Sequence, residues 1–161
     1  MLNYLEFCLS HMEVPGESCL TIYITGCQNM CVNCHYPELH NPSSGMPLYR
    51  YFGDMLNLYF NQITCVCFMG EGNADEESRS ELSGYASKCI DNNLKTCLYC
   101  GRDTVIEDWM HIFDYIKTGR YIDERGPLTA TTTNQHMYMK VKNGYTDITN
   151  RFWNDNRPVH I

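Results

Sequence analysis

The chain lacks any apolar run near the ~20 residues needed to cross a bilayer; its longest uninterrupted stretches have the length of buried strands. It lacks a basic excess as well. A formal net charge of -7 disfavours nucleic acid or an anionic membrane as the main partner, since both select basic surfaces. Met1-Leu2-Asn3-Tyr4-Leu5-Glu6 has neither the basic start nor the long apolar core of a signal peptide, so a cytoplasmic protein is expected. There is no internal repeat and no low-complexity linker. What remains is 161 residues, 43% hydrophobic and 19% charged. That composition implies a single domain over residues 1–161, long enough to bury a core and too apolar for disorder.

Against these absences stand ten cysteines. Without a secretion signal, metal or redox chemistry is a stronger reading than a disulfide framework. Free thiols also persist in an anaerobic cytosol, where some serve as small core residues.

Alternation of strand and helix patterns places these cysteines. Cys19–Thr25 is β-branched and ends at Gly26, which reads as a first strand. A polar loop runs from Cys27 to about Pro47. Leu48, Tyr51, Phe52, Met55, Leu56, Tyr59 and Phe60 recur at helical spacing. Ile63–Met69 is apolar almost throughout, as in a parallel strand covered on both faces. A second helix buries Leu82, Tyr85, Ala86, Cys89 and Ile90 behind the acidic start Asp75-Glu76-Glu77. Leu94–Cys100 reads as a third strand, Thr104 to about His111 as a short helix, and Phe113–Lys117 as a fourth strand. Gln135–Val141 and Tyr145–Thr149, joined at Asn143-Gly144, make a C-terminal hairpin. The pattern predicts an α/β fold with a parallel sheet and right-handed crossovers. Ligands then bind at the carboxyl ends of the strands. The loops after the four strands, carrying Cys27–Cys34, Gly70-Glu71-Gly72, Gly101-Arg102 and Lys117-Thr118-Gly119, would share one rim.

Cys27-Gln28-Asn29-Met30-Cys31-Val32-Asn33-Cys34 has the spacing C-x3-C-x2-C. A four-iron cluster normally takes four protein thiolates. Three can hold three irons and leave the fourth open to a small molecule, in the way an open position marks a reactive metal site. Gly26 lets the chain turn tightly off the strand. A structural zinc site with His35 as fourth ligand and a set of unligated buried thiols are the alternatives. Three cysteines within eight residues of a polar loop make poor core material.

This stretch resembles the cluster loop of radical S-adenosylmethionine enzymes. More narrowly, Gly26-Cys27 through Cys34-His35-Tyr36-Pro37-Glu38-Leu39 is similar to the activating proteins of anaerobic (class III) ribonucleotide reductases. Tyr115–Tyr121 and Thr132-Thr133-Asn134-Gln135 resemble later segments of those proteins, so the likeness covers most of the chain. The resemblance implies a small partial (β/α) barrel with a C-terminal hairpin. It implies that Cys27, Cys31 and Cys34 ligate a [4Fe-4S] cluster whose open iron binds S-adenosylmethionine. Reductive cleavage would yield a 5′-deoxyadenosyl radical that takes a hydrogen from a glycine of the reductase large subunit. A low-potential electron donor, such as flavodoxin or ferredoxin, is implied too. Those family members often carry a small residue, and the wider superfamily an aromatic one, where this chain has Asn33. Backbone contacts from Asn33, Cys34 and His35 would serve the adenine. The glycine-rich stretch Gly70-Glu71-Gly72 would contact the methionyl end, with either Glu71 or Gly72 at the acidic position; the same residues also suit an ordinary strand-to-helix turn. An activase of another glycyl-radical enzyme, of pyruvate formate-lyase type, and a non-catalytic iron–sulfur or zinc protein are the rival readings.

Among the other cysteines, Cys97-Leu98-Tyr99-Cys100 has redox-pair spacing, but it falls on a predicted strand. Buried structural thiols are expected there and at Cys8, Cys19 and Cys89, unless Cys65 and Cys67 approach across the sheet. Arg102 and Lys117 are either ligand-neutralising or solvated loop cations. Glu38 and His40 read as loop polar residues. Asn134 and Gln135 would order the C-terminal turn or help to dock a partner.

Overall fold

The computed structural model describes residues 1–153. Eight strands form one mixed sheet: β1 (Asn3–Ser10), β2 (Cys19–Ile24), β3 (Met46–Pro47), β4 (Cys65–Met69), β5 (Lys95–Tyr99), β6 (Tyr115–Thr118), β7 (His136–Val141) and β8 (Gly144–Asp147). Their spatial order is β3-β1-β2-β4-β5-β6-β7-β8. The central four, β2, β4, β5 and β6, run parallel, and the flanking pairs are antiparallel. The sheet does not close on itself. Among the described residues no helix is long and apolar enough to cross a membrane.

Two helices, α1 (Leu48–Tyr59) and α2 (Glu76–Asp91), supply two of the crossovers. Helix α1 buries Leu48, Phe52, Met55 and Leu56, one face at the expected spacing. Asp75 caps α2 by accepting from the Ser78 backbone N–H at 2.8 Å, and Glu76 and Glu77 sit in its first turn, where the helix dipole favours negative charge. Both helices pack on one sheet face against Leu20, Ile22, Val66, Phe68, Leu98 and Ile116. The opposite face carries a separate cluster of Cys19, Cys65, Cys67, Cys97, Tyr115 and Met137, covered by Val14, Leu128, Ile148 and Phe152.

Several expectations are corrected. The strand read as first is second in the chain, because β1 precedes it and pairs with it antiparallel. Strand β1 escapes the sequence pattern because few of its residues are buried, as suits a strand near a sheet edge. The helix expected over 104–111 is a 3-10 segment, Asp108–Ile112. Ile90 and Phe60 are exposed at 46% and 43%: Ile90 lies in the last turn of α2, and Phe60 follows α1 in a 3-10 turn. The all-parallel sheet is in fact mixed, and the C-terminal hairpin forms its far edge as β7 and β8.

Candidate functional site

Strand register builds the floor of the site. Tyr23 pairs with Met69, Met69 with Tyr99, and Tyr99 with Lys117. These four neighbours project from one sheet face, and each is the last or next-to-last residue of its strand. All four line a cavity of about 290 Å³. Two residues down the same strands lies a row of buried groups, Thr21, Cys67, Cys97 and Tyr115. The floor is therefore solid.

The walls come from the loops that leave these strands. Cys27, Cys31, Cys34 and His35 enter from the loop after β2, Gly70, Glu71 and Gly72 from the loop after β4, and Gly101 and Arg102 from the loop after β5. The loop after β2 is closed at its base, where the backbone N–H groups of Gly26 and Cys27 both donate to the Leu39 carbonyl, at 2.7 and 3.0 Å. Gly26 holds φ at +99°, a value that glycine adopts without a Cβ penalty. Within the loop Met30 and Asn33 have φ of 46° and 56°, so the backbone takes a left-handed turn just before the second thiol and another just before the third. Such non-glycine conformations cluster at ligand-binding segments.

The three thiols are partly accessible, and all ten cysteines are free of disulfides. Cys27 Sγ accepts from Asn29 Nδ2, and Cys34 Sγ from the Tyr36 backbone N–H, each at 3.5 Å. Among the described residues no three His, Cys, Asp or Glu side chains meet closely enough to hold one metal ion. His35 instead packs its ring on Tyr121, with centroids 4.6 Å apart.

The charged residues are more committed than the sequence suggests. Glu71 is 5% exposed. It takes a bidentate pair from Arg102, Nε to Oε2 at 2.9 Å and Nη2 to Oε1 at 2.8 Å, and the Cys100 thiol donates to Oε2 at 3.2 Å. Arg102 Nη1 reaches Glu107 Oε1 at 2.7 Å. Arg102 chiefly, against a desolvation cost, holds the Glu107 carboxyl down to about 2. Lys117 is 7% exposed and donates to the Gly119 carbonyl at 2.7 Å. Burial lowers its pKa to about 8, opposed by Cys100, Cys31 and Cys27. Neither residue is a solvated loop cation.

Of the expected site residues, Cys27, Cys31, Cys34, His35, Gly70, Glu71 and Gly72 all line the cavity. Asn33 does not: it is exposed, and its Nδ2 donates to Asp123 Oδ2 at 3.3 Å. Between Glu71 and Gly72, only Glu71 brings a carboxylate to the wall. Asn134 and Gln135 donate to the carbonyls of Arg120 and Gly119, which orders the turn after β6. Cys19, Cys65, Cys67 and Cys97 are buried in one apolar cluster, whereas Cys8 is exposed, contrary to expectation. Only the two-residue β3 lies outside its strand. Tyr23, Met69, Tyr99 and Asn29 are lining residues that sequence reasoning missed; for the first three the signal was two-residue alternation ending at each strand's carboxyl end.

A wider hollow of about 460 Å³, lined by Met1, Tyr49, Glu77, Glu81 and Tyr85 among others, carries no thiol. No protein-family model, curated protein or solved structure matches the chain.

Proposed function

We propose that this chain is a radical S-adenosylmethionine activase that generates the glycyl radical of an anaerobic ribonucleoside-triphosphate reductase. The observation that carries the reading is the meeting of Cys27, Cys31 and Cys34 with Gly70, Glu71 and Lys117 in one cavity at the carboxyl ends of four parallel strands. On this reading the open sheet is the small partial (β/α) barrel of that superfamily, and its unclosed side admits a protein substrate.

The residues fit the group in donor type and in number. Three accessible thiols, two of them receiving N–H donors, suit a [4Fe-4S] cluster that keeps one iron free of protein ligands. Bound there, the cluster supplies one electron, which splits S-adenosylmethionine into methionine and a 5′-deoxyadenosyl radical able to take a glycine α-hydrogen. The chain's own residues bind and orient. Glu71 offers a carboxylate to an ammonium group and Lys117 a cation to a carboxylate, the pair of charges that an α-amino acid end requires. Gly70 and Gly72, at φ of 122° and 62°, let the backbone approach the ligand closely. Tyr23, Met69 and Tyr99 close the floor and exclude water.

The test is anaerobic reconstitution with iron and sulfide, reduction, and assay of 5′-deoxyadenosine, with and without the reductase. Product that disappears in Cys31→Ala, with a glycyl radical signal on the reductase, is the expected result. A signal only on a pyruvate formate-lyase type partner would reassign the substrate. An intact cluster without product would point to electron transfer, and bound zinc without iron would end the radical reading.

A further inference from the structure

We infer that Arg102 is a positioning residue that holds the Glu71 carboxylate in the one orientation that receives the ammonium group of an amino-acid ligand. The inference rests on the proposed reading of the cavity and adds to it a residue that does not touch the ligand.

The geometry is a relay of three side chains. Glu107 is anchored first. It accepts from Trp109 Nε1 at 2.7 Å and from Thr104 Oγ1 at 3.2 Å, with Arg79 at 3.7 Å. So fixed, it takes Nη1 of Arg102. Arg102 then has Nε and Nη2 left for Glu71 and applies them as a planar fork. Three of the five N–H donors of the guanidinium are thereby spent on two carboxylates, which fixes its plane. On Glu71, Oε2 already takes two donors and Oε1 one, so the remaining acceptor capacity lies at Oε1. Without the fork the buried carboxylate would lose its partner and its fixed direction. Lysine at position 102 keeps the charge but cannot reproduce two parallel bonds.

Equilibrium binding to the cluster-loaded, unreduced protein tests this with two nucleosides. S-Adenosylhomocysteine carries the amino-acid end and 5′-methylthioadenosine does not. The wild type is expected to bind the first more tightly. Arg102→Lys and Arg102→Gln should weaken S-adenosylhomocysteine by about 10- to 100-fold, the usual scale for supporting residues, and leave 5′-methylthioadenosine unchanged. Glu107→Gln should give a smaller loss with the same selectivity. A fold defect would weaken both nucleosides alike, and that result, or no change in either, overturns the inference. Equal wild-type affinity for the two also overturns it while leaving the activase reading in place. A wild type that binds neither defeats the activase reading itself.

Discussion

At the scale of single residues, the site depends on where a Cβ can and cannot be placed. A Cβ on Gly26 would stand 2.9 Å from Asn73 Oδ1 and 3.1 Å from the Gly72 backbone carbon, at a φ of +99°. The first and second loops therefore touch at a glycine on each side. Gly26→Ala should cost on the order of 1–3 kcal/mol through backbone strain alone, and iron loading should fall with it because the strain lies beside Cys27. Gly53 lies inside α1, and a Cβ there meets nothing within 4 Å. Gly53→Ala should raise stability by roughly 0.5–1 kcal/mol and leave iron loading unchanged. Denaturant melts and iron analysis of the two variants check both halves. Equal stability losses would show that neither the positive φ nor the crowding at Gly26 is the cause.

At the scale of elements, the four parallel strands were readable because each is a short, mostly apolar run with a glycine within two residues of its end. The three-cysteine loop was readable from its spacing. Strand β1 was not, since only Tyr4 among its residues is buried and it is held by pairing rather than by an apolar face. The commitment of Arg102 and the burial of Lys117 were invisible for a similar reason. A sequence shows that a cation is near a rim but not that Glu107, five residues on, turns back to meet it. The hairpin β7–β8 was readable and does more than end the chain. It pairs with β6, places buried Met137 beside the thiol cluster, and lets the Tyr145 hydroxyl donate to the Phe113 carbonyl at 2.6 Å. A chain ending at Asn134 would leave β6 as a bare sheet edge, which templates association. Size-exclusion chromatography should show aggregates in place of the full chain's single species. A monomeric, equally stable truncation would mean that the hairpin adds nothing to the sheet.

At the scale of the whole molecule, the fold divides its thiols into two populations by access to water. Cys19, Cys65, Cys67, Cys89, Cys97 and Cys100 are buried, whereas Cys8 is exposed and Cys27, Cys31 and Cys34 are partly accessible. Burial pushes Cys89 up to about 12, Cys97 to about 11 and Cys100 to about 12. Cys65, chiefly through its hydrogen bond with Cys19, and Cys67, chiefly through burial, are also raised. Since the thiolate is the nucleophile, these groups are doubly protected, by exclusion of the reagent and by a retained proton. Reaching them requires opening the sheet, which native conditions allow only rarely. Brief alkylation of the reduced, cluster-free protein at neutral pH should therefore modify Cys8, Cys27, Cys31 and Cys34 and spare the other six, while alkylation in denaturant labels all ten. Loading with iron and sulfide should then remove Cys27, Cys31 and Cys34 from the reactive set and leave Cys8 alone. Peptide mass spectrometry reads each position separately. Protection of Cys8, or continued labelling of any of the three loop thiols in fully loaded protein, would place the cluster on ligands other than these. The division of thiols thus tests the fold through the six that stay silent and the metal centre through the three that fall silent on loading.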